Sequence, residues 1–380
     1  MSDWYKIDRQ GDELLTDIRG FLKSVLELEG ISGVLVPRRL PAKDTVMPAL
    51  VSRPGFLDDA DPLAPAFTVN SAKNLSRLTR KGLDANIAAV MRSCEIRAFV
   101  ELVKLHQSES EPVTLIGIDC LGALTNRSYP KFAAENPENS SDVFQKARLS
   151  GSDPPEPAVM NSACRICEHP VPETADIIIG LYGVDLAAGL FLQAKTGRGR
   201  EILEKIGASP AQAPKDRDAV VKNLIDERIA ARDQVFEETA AAVSSIEKLS
   251  AYLADCVNCY NCRVACPACY CRECVFTTDV FDHDPMQYLQ WADRKGALKM
   301  PTDTVFYHIT RLTHMSTACV GCGQCSNACP NDIPLTELFR MVSHRTQAAF
   351  DYEAGRSPEE APPLLVFKEE EFSEIVGIGK

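Results

Sequence analysis

Two cysteine motifs constrain this chain more than any other feature. Cys256, Cys259, Cys262 and Cys266-Pro267 spell CxxCxxCxxxCP, and Cys319, Cys322, Cys325 and Cys329-Pro330 spell it again. Thiolates bind iron, and two-residue spacers let three successive sulfurs converge on one cluster. The fourth cysteine, ahead of proline, completes the other cluster. The pattern predicts two 4Fe–4S clusters. One takes Cys256, Cys259, Cys262 and Cys329, and the other takes Cys319, Cys322, Cys325 and Cys266. Zinc is the competing reading, but a four-cysteine zinc site needs only two CxxC pairs, and eight ligands with both prolines go well beyond that.

Three more cysteines, Cys269, Cys271 and Cys274, follow the first motif in the run CPACYCREC. Three thiolates this close suit a further site, zinc or another cluster, with a fourth ligand from elsewhere. Asp279, Asp282 and His283 are near in sequence. The alternative is that the three are buried or spare thiols. The last four of the 15 cysteines are dispersed: Cys94, Cys120 and the pair Cys164/Cys167. By spacing alone, a lone CxxC with two distant cysteines reads equally as zinc or coincidence.

So many cysteines without a secretion signal in residues 1–10 imply metal or redox chemistry in a reducing, cytoplasmic setting, not a disulfide framework. The formal charge of −12 argues against a nucleic-acid surface as the main feature. It suits a protein that docks other proteins or small molecules. The most apolar stretch, residues 175–194, contains Asp176 and Asp185 and is broken by Gly180 and Gly183. It reads as a buried strand followed by a helix, not as a membrane span.

At 380 residues the chain is long enough for two or three domains. Leu14, Leu15, Ile18, Phe21, Leu22, Val25 and Leu26 recur at helical spacing within residues 13–29, and a short strand follows at 31–36. Residues 41–65 are Pro-rich and read as irregular. Strands are predicted at 86–91, 112–118 and 175–180, with a helix at 95–107, which is an α/β alternation. Residues 137–157 read as a loop, 208–215 as a link, and 216–254 as one or two helices. The gap between the paired motifs carries helical sequence at 285–297, and the tail beyond Gly355 is polar and acidic. The division expected is an α/β domain over 1–207, a helical linker over 208–254, a mostly α-helical dicluster ferredoxin domain over 255–350, and a tail over 351–380. Gly197-Arg198-Gly199-Arg200 lacks a full phosphate-loop motif and reads as a helix start. His106, His308, His314 and His344 show no metal-ligand spacing and read as ordinary surface or core residues.

Cys266 and Cys319 lie 53 positions apart, a wider link than compact bacterial ferredoxins have. Over residues 216–345 the module resembles the helical ferredoxin fold of heterodisulfide reductase C-subunits and succinate dehydrogenase iron–sulfur subunits. The likeness implies a relay of single electrons between a neighbouring flavin and a partner subunit. Upstream, the runs AAVMRSCEIRAFVEL, VTLIGIDCLG and CRICEHPVPETADIIIG resemble the β-subunit family of deazaflavin (coenzyme F-420) hydrogenases and formate dehydrogenases, over residues 14–183. Cys94, Cys120, Cys164 and Cys167, with Ala175, Asp176, Ile177 and Gly180, fall on matching positions.

The resemblance implies an FAD-binding α/β domain with its own 4Fe–4S cluster on those four cysteines. Asn70, Ser71, Lys73, Ser93 and Gly180 become candidate flavin contacts, although Asn70 or Ser71 equally suits a plain helix N-cap. A flavin accepts a hydride as two electrons and releases them singly to iron–sulfur centres. The implied function is that of an electron-transfer beta subunit. Its partners would be a formate dehydrogenase- or hydrogenase-type catalytic subunit, heterodisulfide-reductase-like subunits, and a deazaflavin or nicotinamide hydride carrier. The sequence departs from the family at Ser93 (usually proline), Glu95 (usually glutamine) and Leu121 (often histidine), and has no Ser/Gly-rich run near its start. These departures motivate the alternative of a flavin-free iron–sulfur relay. A zinc-rich interaction module is a more distant third.

Overall fold

The computed structural model describes residues 3–9, 11, 13–41, 45–281, 284–295 and 304–365. Eight strands form one mixed sheet: β1 (Trp4–Asp8), β2 (Ile31–Arg39), β3 (Val46–Val51), β4 (Asn86–Arg92), β5 (Val113–Ile118), β6 (Ile177–Gly180), β7 (Gly189–Ala194) and β8 (Ser209–Ala211). Their order is β3-β2-β4-β5-β6-β7-β1-β8. The centre is parallel, with Val90 opposite Ile116 and Ile116 opposite Ile177, while β3, β7, β1 and β8 join antiparallel.

Parallel strands covered on both faces read as nearly unbroken apolar runs, which is why β5 and β6 are buried throughout. Side chains alternate between faces. Ala88, Val90, Ile116 and Ile179 join the core beneath the helix Leu14–Leu26. Ile87, Ala89, Met91 and Ile178 join the core that includes Phe99 and Leu102 of the helix Ser93–Lys104.

Three expectations change. The Pro-rich stretch contains β3 and a 3-10 turn at Pro54–Asp59. Pro48 is tolerated because β3 is a sheet edge, and Pro37, opposite it, lies beyond the part of β2 that pairs β4. After β6 the chain returns as β7, with Gly180 opposite Phe191, where a helix was expected. Eight residues separate the two strands, and a short apolar run does not distinguish strand from helix. The supposed loop at 137–157 holds the helix Ser140–Leu149, anchored by buried Phe144. The polar start contains β1, which lies between β7 and β8.

The helix expected at Gly197 is present as Gly197–Lys205, capped by Thr196 Oγ1, which accepts from the Gly199 amide at 3.1 Å. Beyond the sheet the chain is helical: Arg217–Ala242, Ile246–Tyr252, Asn261–Ala265, Pro285–Lys295, Thr304–Met315, Gln324–Asn327 and Leu335–Ala349. Residues 296–297 of the predicted 285–297 helix lie outside the described residues. Leu253, Phe276, Tyr307, Met315, Ala318 and Phe339 form the core of this part, together with Cys256 and Cys262. Among the described residues, no helix is long and apolar enough to cross a membrane.

Candidate iron–sulfur sites

The first group of cysteines lies beyond the carboxyl ends of the parallel strands, where open α/β sheets place ligands. Cys94 is in the first turn of the helix after β4, and Cys120 follows β5 by two residues. Cys164 sits in the short helix Ser162–Arg165, whose Asn161 cap accepts from the Ala163 amide at 3.0 Å. Burial, then the charges of Cys120, Cys322, Glu95 and Cys167, push the Cys94 thiol well up. Burial and the charges of Cys120 and Cys167 push Cys164 up to about 12. The sheet therefore brings together four cysteines spread over more than seventy residues. Burial favours the neutral thiol at Cys94, Cys120 and Cys164, and a metal centre would have to displace those protons.

The two C-terminal motifs interleave, so that cysteines of one neighbour cysteines of the other. Beyond its burial, Cys256 feels Cys262, Cys259 and Cys329, and these four line one cavity with Tyr307, His308 and Ile333. Cys266 is pushed up to about 11 by burial, with Cys319 and Cys269 adding to it. Cys322 feels Cys266, Cys325 and Cys319, and burial pushes Cys325 up to about 12. The fourth cysteine of each motif thus lies with the first three of the other.

Helix Thr304–Met315 supplies polar contacts that sequence reasoning missed. His308 Nε2 is 3.4 Å from Cys256 Sγ, Tyr307 Oη is 3.4 Å from Cys262 Sγ, and Arg311 Nη1 donates to Cys262 Sγ at 3.1 Å. The available signal was Tyr307, Arg311 and Met315 at i, i+4, i+8 just ahead of the second motif, one buried helix face. His344 stacks on Phe236, and His106 occupies a left-handed turn.

The candidate flavin contacts have other partners. Asn70 caps its helix by accepting from the Ala72 amide at 3.0 Å. Glu95 accepts from the Ser71 amide at 2.8 Å and from the Arg92 amide at 3.0 Å, so this carboxylate joins two helix starts. Lys73 Nζ donates to the Val264 carbonyl at 2.6 Å, and Ser93 Oγ to the Val171 carbonyl at 3.3 Å. A Cβ at Gly180 would stand 3.2 Å from the Trp4 ring. The described bonds of Asn70, Ser71, Lys73 and Ser93 serve the fold, while Asn70 Nδ2 is buried without a described partner.

Cys269 lies within electrostatic reach of Cys271, Arg311, Arg263 and Lys73, while Cys271 is exposed. Asp282 and His283 lie outside the described residues, and Asp279 is exposed. Four thiolates on one zinc stand within about 4 Å of each other. Among the described residues, no group of three or more His, Cys, Asp or Glu side chains is arranged to hold a single metal ion.

Residues 84–213 match the family described as the C terminus of the coenzyme F420 hydrogenase/dehydrogenase beta subunit, and residues 313–334 match a 4Fe-4S binding domain. The chain is 27% identical over 373 residues to the F420-dependent formate dehydrogenase subunit beta of Methanocaldococcus jannaschii, covering 92% of this chain and 93% of that protein. It is 28% identical over 311 residues to the F420-dependent formate dehydrogenase 1 subunit beta of Methanococcus maripaludis, covering 74% and 76%. A chain of the F420-reducing [NiFe] hydrogenase complex from Methanosarcina barkeri superposes with a TM-score of 0.47 at 17% identity, over 65% of this chain and 94% of that one. Residues 84–213 are thus similar to the C terminus of coenzyme F420 hydrogenase/dehydrogenase beta subunits, and the second cysteine motif lies within a match to a 4Fe–4S binding domain.

Proposed function

We propose that this chain is an electron-transfer beta subunit of a multi-subunit oxidoreductase and carries three 4Fe–4S clusters. The observation that carries the reading is the continuity of three cysteine groups. Cys94, of the α/β group, lies within electrostatic reach of Cys322, of the second motif. Cys266 and Arg311 join that set to Cys256, Cys259, Cys262 and Cys329. The cavity lined by Cys256, Cys259, Cys262 and Cys329 supports a fit for one cluster.

A 4Fe–4S cluster, when bound, carries one electron at a time. The chain's part is to hold the three ligand sets in a row, to bury most of the sulfurs, and to place donors beside them. Cys94, Cys120, Cys164 and Cys167 form the end of the row nearest the sheet. Cys259, which is exposed, marks the far end and is the natural side for a partner subunit. Partners of the formate dehydrogenase or hydrogenase type are suggested by the relatives, and a heterodisulfide-reductase-like partner by the helical ferredoxin module.

FAD belongs to this reading only through the family resemblance. It would supply the switch from hydride to single electrons. The second reading is a relay without flavin, motivated by the departures at Ser93, Glu95 and Leu121 and by the bonds that Asn70, Ser71, Lys73 and Ser93 make within the fold. Anaerobic purification with iron, zinc and flavin counted per chain separates the readings. About twelve irons with one flavin supports a flavin-to-cluster subunit, and the same iron without flavin supports the relay. Zinc beside the iron would direct attention to Cys269, Cys271 and Cys274. Zinc in place of iron would sink the proposal.

A further inference from the structure

Ligand sets alike in sequence differ in what approaches their sulfurs. On the set formed by Cys256, Cys259, Cys262 and Cys329, Arg311 Nη1 stands 3.1 Å from Cys262 Sγ, and Nη2 donates to the Cys262 carbonyl at 3.2 Å. Tyr307 Oη and His308 Nε2 approach Cys262 and Cys256, each at 3.4 Å. On the set formed by Cys319, Cys322, Cys325 and Cys266, the described contact to a sulfur from a polar side chain is neutral: Thr336 Oγ1, 3.4 Å from Cys325 Sγ.

The setting of Arg311 is unusual for a cation. It is 4% exposed, with its guanidinium carbon 4.7 Å from the Phe339 ring centroid and 5.6 Å from that of Tyr307. Its Nε is buried and has no acceptor among the described residues. After the desolvation that would lower its pKa, the charges acting on it most strongly are Cys262, Tyr307, Cys266 and Cys325, not a carboxylate. A buried charge without a counter-ion is strongly destabilising, so an arginine placed this way requires an anion. Four thiolates on an iron–sulfur core supply a net negative charge at that position, and the core's sulfides accept N–H donors.

We infer that Arg311 sets the reduction potential at Cys256, Cys259, Cys262 and Cys329, making that cluster the more easily reduced of the C-terminal pair. The inference rests on the iron–sulfur reading above. Reduction adds a negative charge. A fixed buried cation with a charge-assisted hydrogen bond to a ligand sulfur stabilises that charge more than a neutral hydroxyl does. An electron shared between the two sets, were both occupied, would then favour the one at the far end, beside exposed Cys259.

The test uses the full chain, purified without oxygen and with its iron counted, in a redox titration followed by electron paramagnetic resonance. Wild type is compared with Arg311→Gln, Arg311→Lys and Thr336→Val. Glutamine is expected to lower the midpoint that Thr336→Val leaves in place by at least a tenfold change in the reduction equilibrium, about 59 mV for one electron, and to lower the other, whose sulfurs have no described hydrogen bond from Arg311, by less. Lysine, which keeps the charge, should move it less. A glutamine variant with full iron and unmoved midpoints overturns the inference. Should that variant lose iron, wild type grown on 15N-arginine decides. Nitrogen coupling to the reduced cluster is expected, and its absence overturns the inference. Wild type without iron or cluster signals would instead bring down the iron–sulfur reading beneath it.

Discussion

The two CxxCxxCxxxCP motifs share one spacing of cysteines and proline and sit in opposite surroundings. The second is clasped by the sheet-bearing half of the molecule. Arg97 Nη1 donates to the Val320 carbonyl at 3.3 Å, and Gln324 Nε2 and Asn327 Nδ2 both donate to the Phe67 carbonyl, at 2.8 and 3.1 Å. Val320 itself belongs to the core beneath the helix Ser93–Lys104. The first motif touches that half through the bond from Lys73 to Val264, and Val257, Cys259 and Val264 are exposed. Ligand spacing specifies what is bound, while the residues between the ligands specify which neighbour the cluster faces. One motif looks inward toward Cys94, and the other looks out.

The largest effects that sharpen this comparison come from ligands. Cys322→Ser should remove about four of the twelve irons and sever the α/β group from the rest. In Cys259→Ser the same iron loss should leave the α/β signal still coupled to its neighbour. Iron counts with spin–spin interaction in electron paramagnetic resonance compare the two. Cys266→Ser, although its residue belongs to the first motif, should damage the cluster on Cys319, Cys322 and Cys325. Loss of the Cys256-side signal instead would break the crossed assignment.

Gly323→Ala comes next. Gly323 has φ 77°, and its added Cβ would stand 2.4 Å from Ala163 Cβ, so strain and clash together should cost about 1–3 kcal/mol. A thermal melt should show it, whereas Gly55→Ala, with open space around it, should stay near wild type. The smallest effect is Lys73→Met, which removes one bond to the outward motif and should cost about 1 kcal/mol. Faster hydrogen exchange near Val264, with none near Val320, is the expected signature.

The second cysteine motif was legible in the sequence because its spacing is written there directly, and it falls within the match to a 4Fe–4S binding domain. So was the helix Leu14–Leu26, whose Ile18, Phe21, Leu22 and Val25 are all buried, and so were the apolar parallel strands. What the sequence concealed depended on partners far along the chain. Residues 46–51 become a strand only because β2 offers an edge, and residues 189–194 because β6 and β1 flank them. The expected boundary at residue 255 separated the second motif from the sheet, but Arg97 and Phe67 are more than two hundred residues away from their partners in that motif. His308 looked ordinary because its relation to Cys256 spans 52 positions. The substitution of glutamic acid at 95 looked like erosion of a motif. In the fold its carboxylate joins the starts of two helices.

The segment after the helix Leu335–Ala349 returns to the sheet. Tyr352 Oη and the Gly355 amide donate to buried Glu101, at 2.6 and 2.7 Å, and Lys104 lies beside the same carboxylate at 2.7 Å. With Arg97 holding Val320, both flanks of the second motif are tied to one helix that is complete before residue 105. Closing contacts this distant in sequence is slow. The surroundings of Cys319, Cys322 and Cys325 are therefore complete only once the N-terminal sheet and the segment after the last helix have met. The fastening of the tail thus ties the inner set of thiols to contacts made across most of the chain.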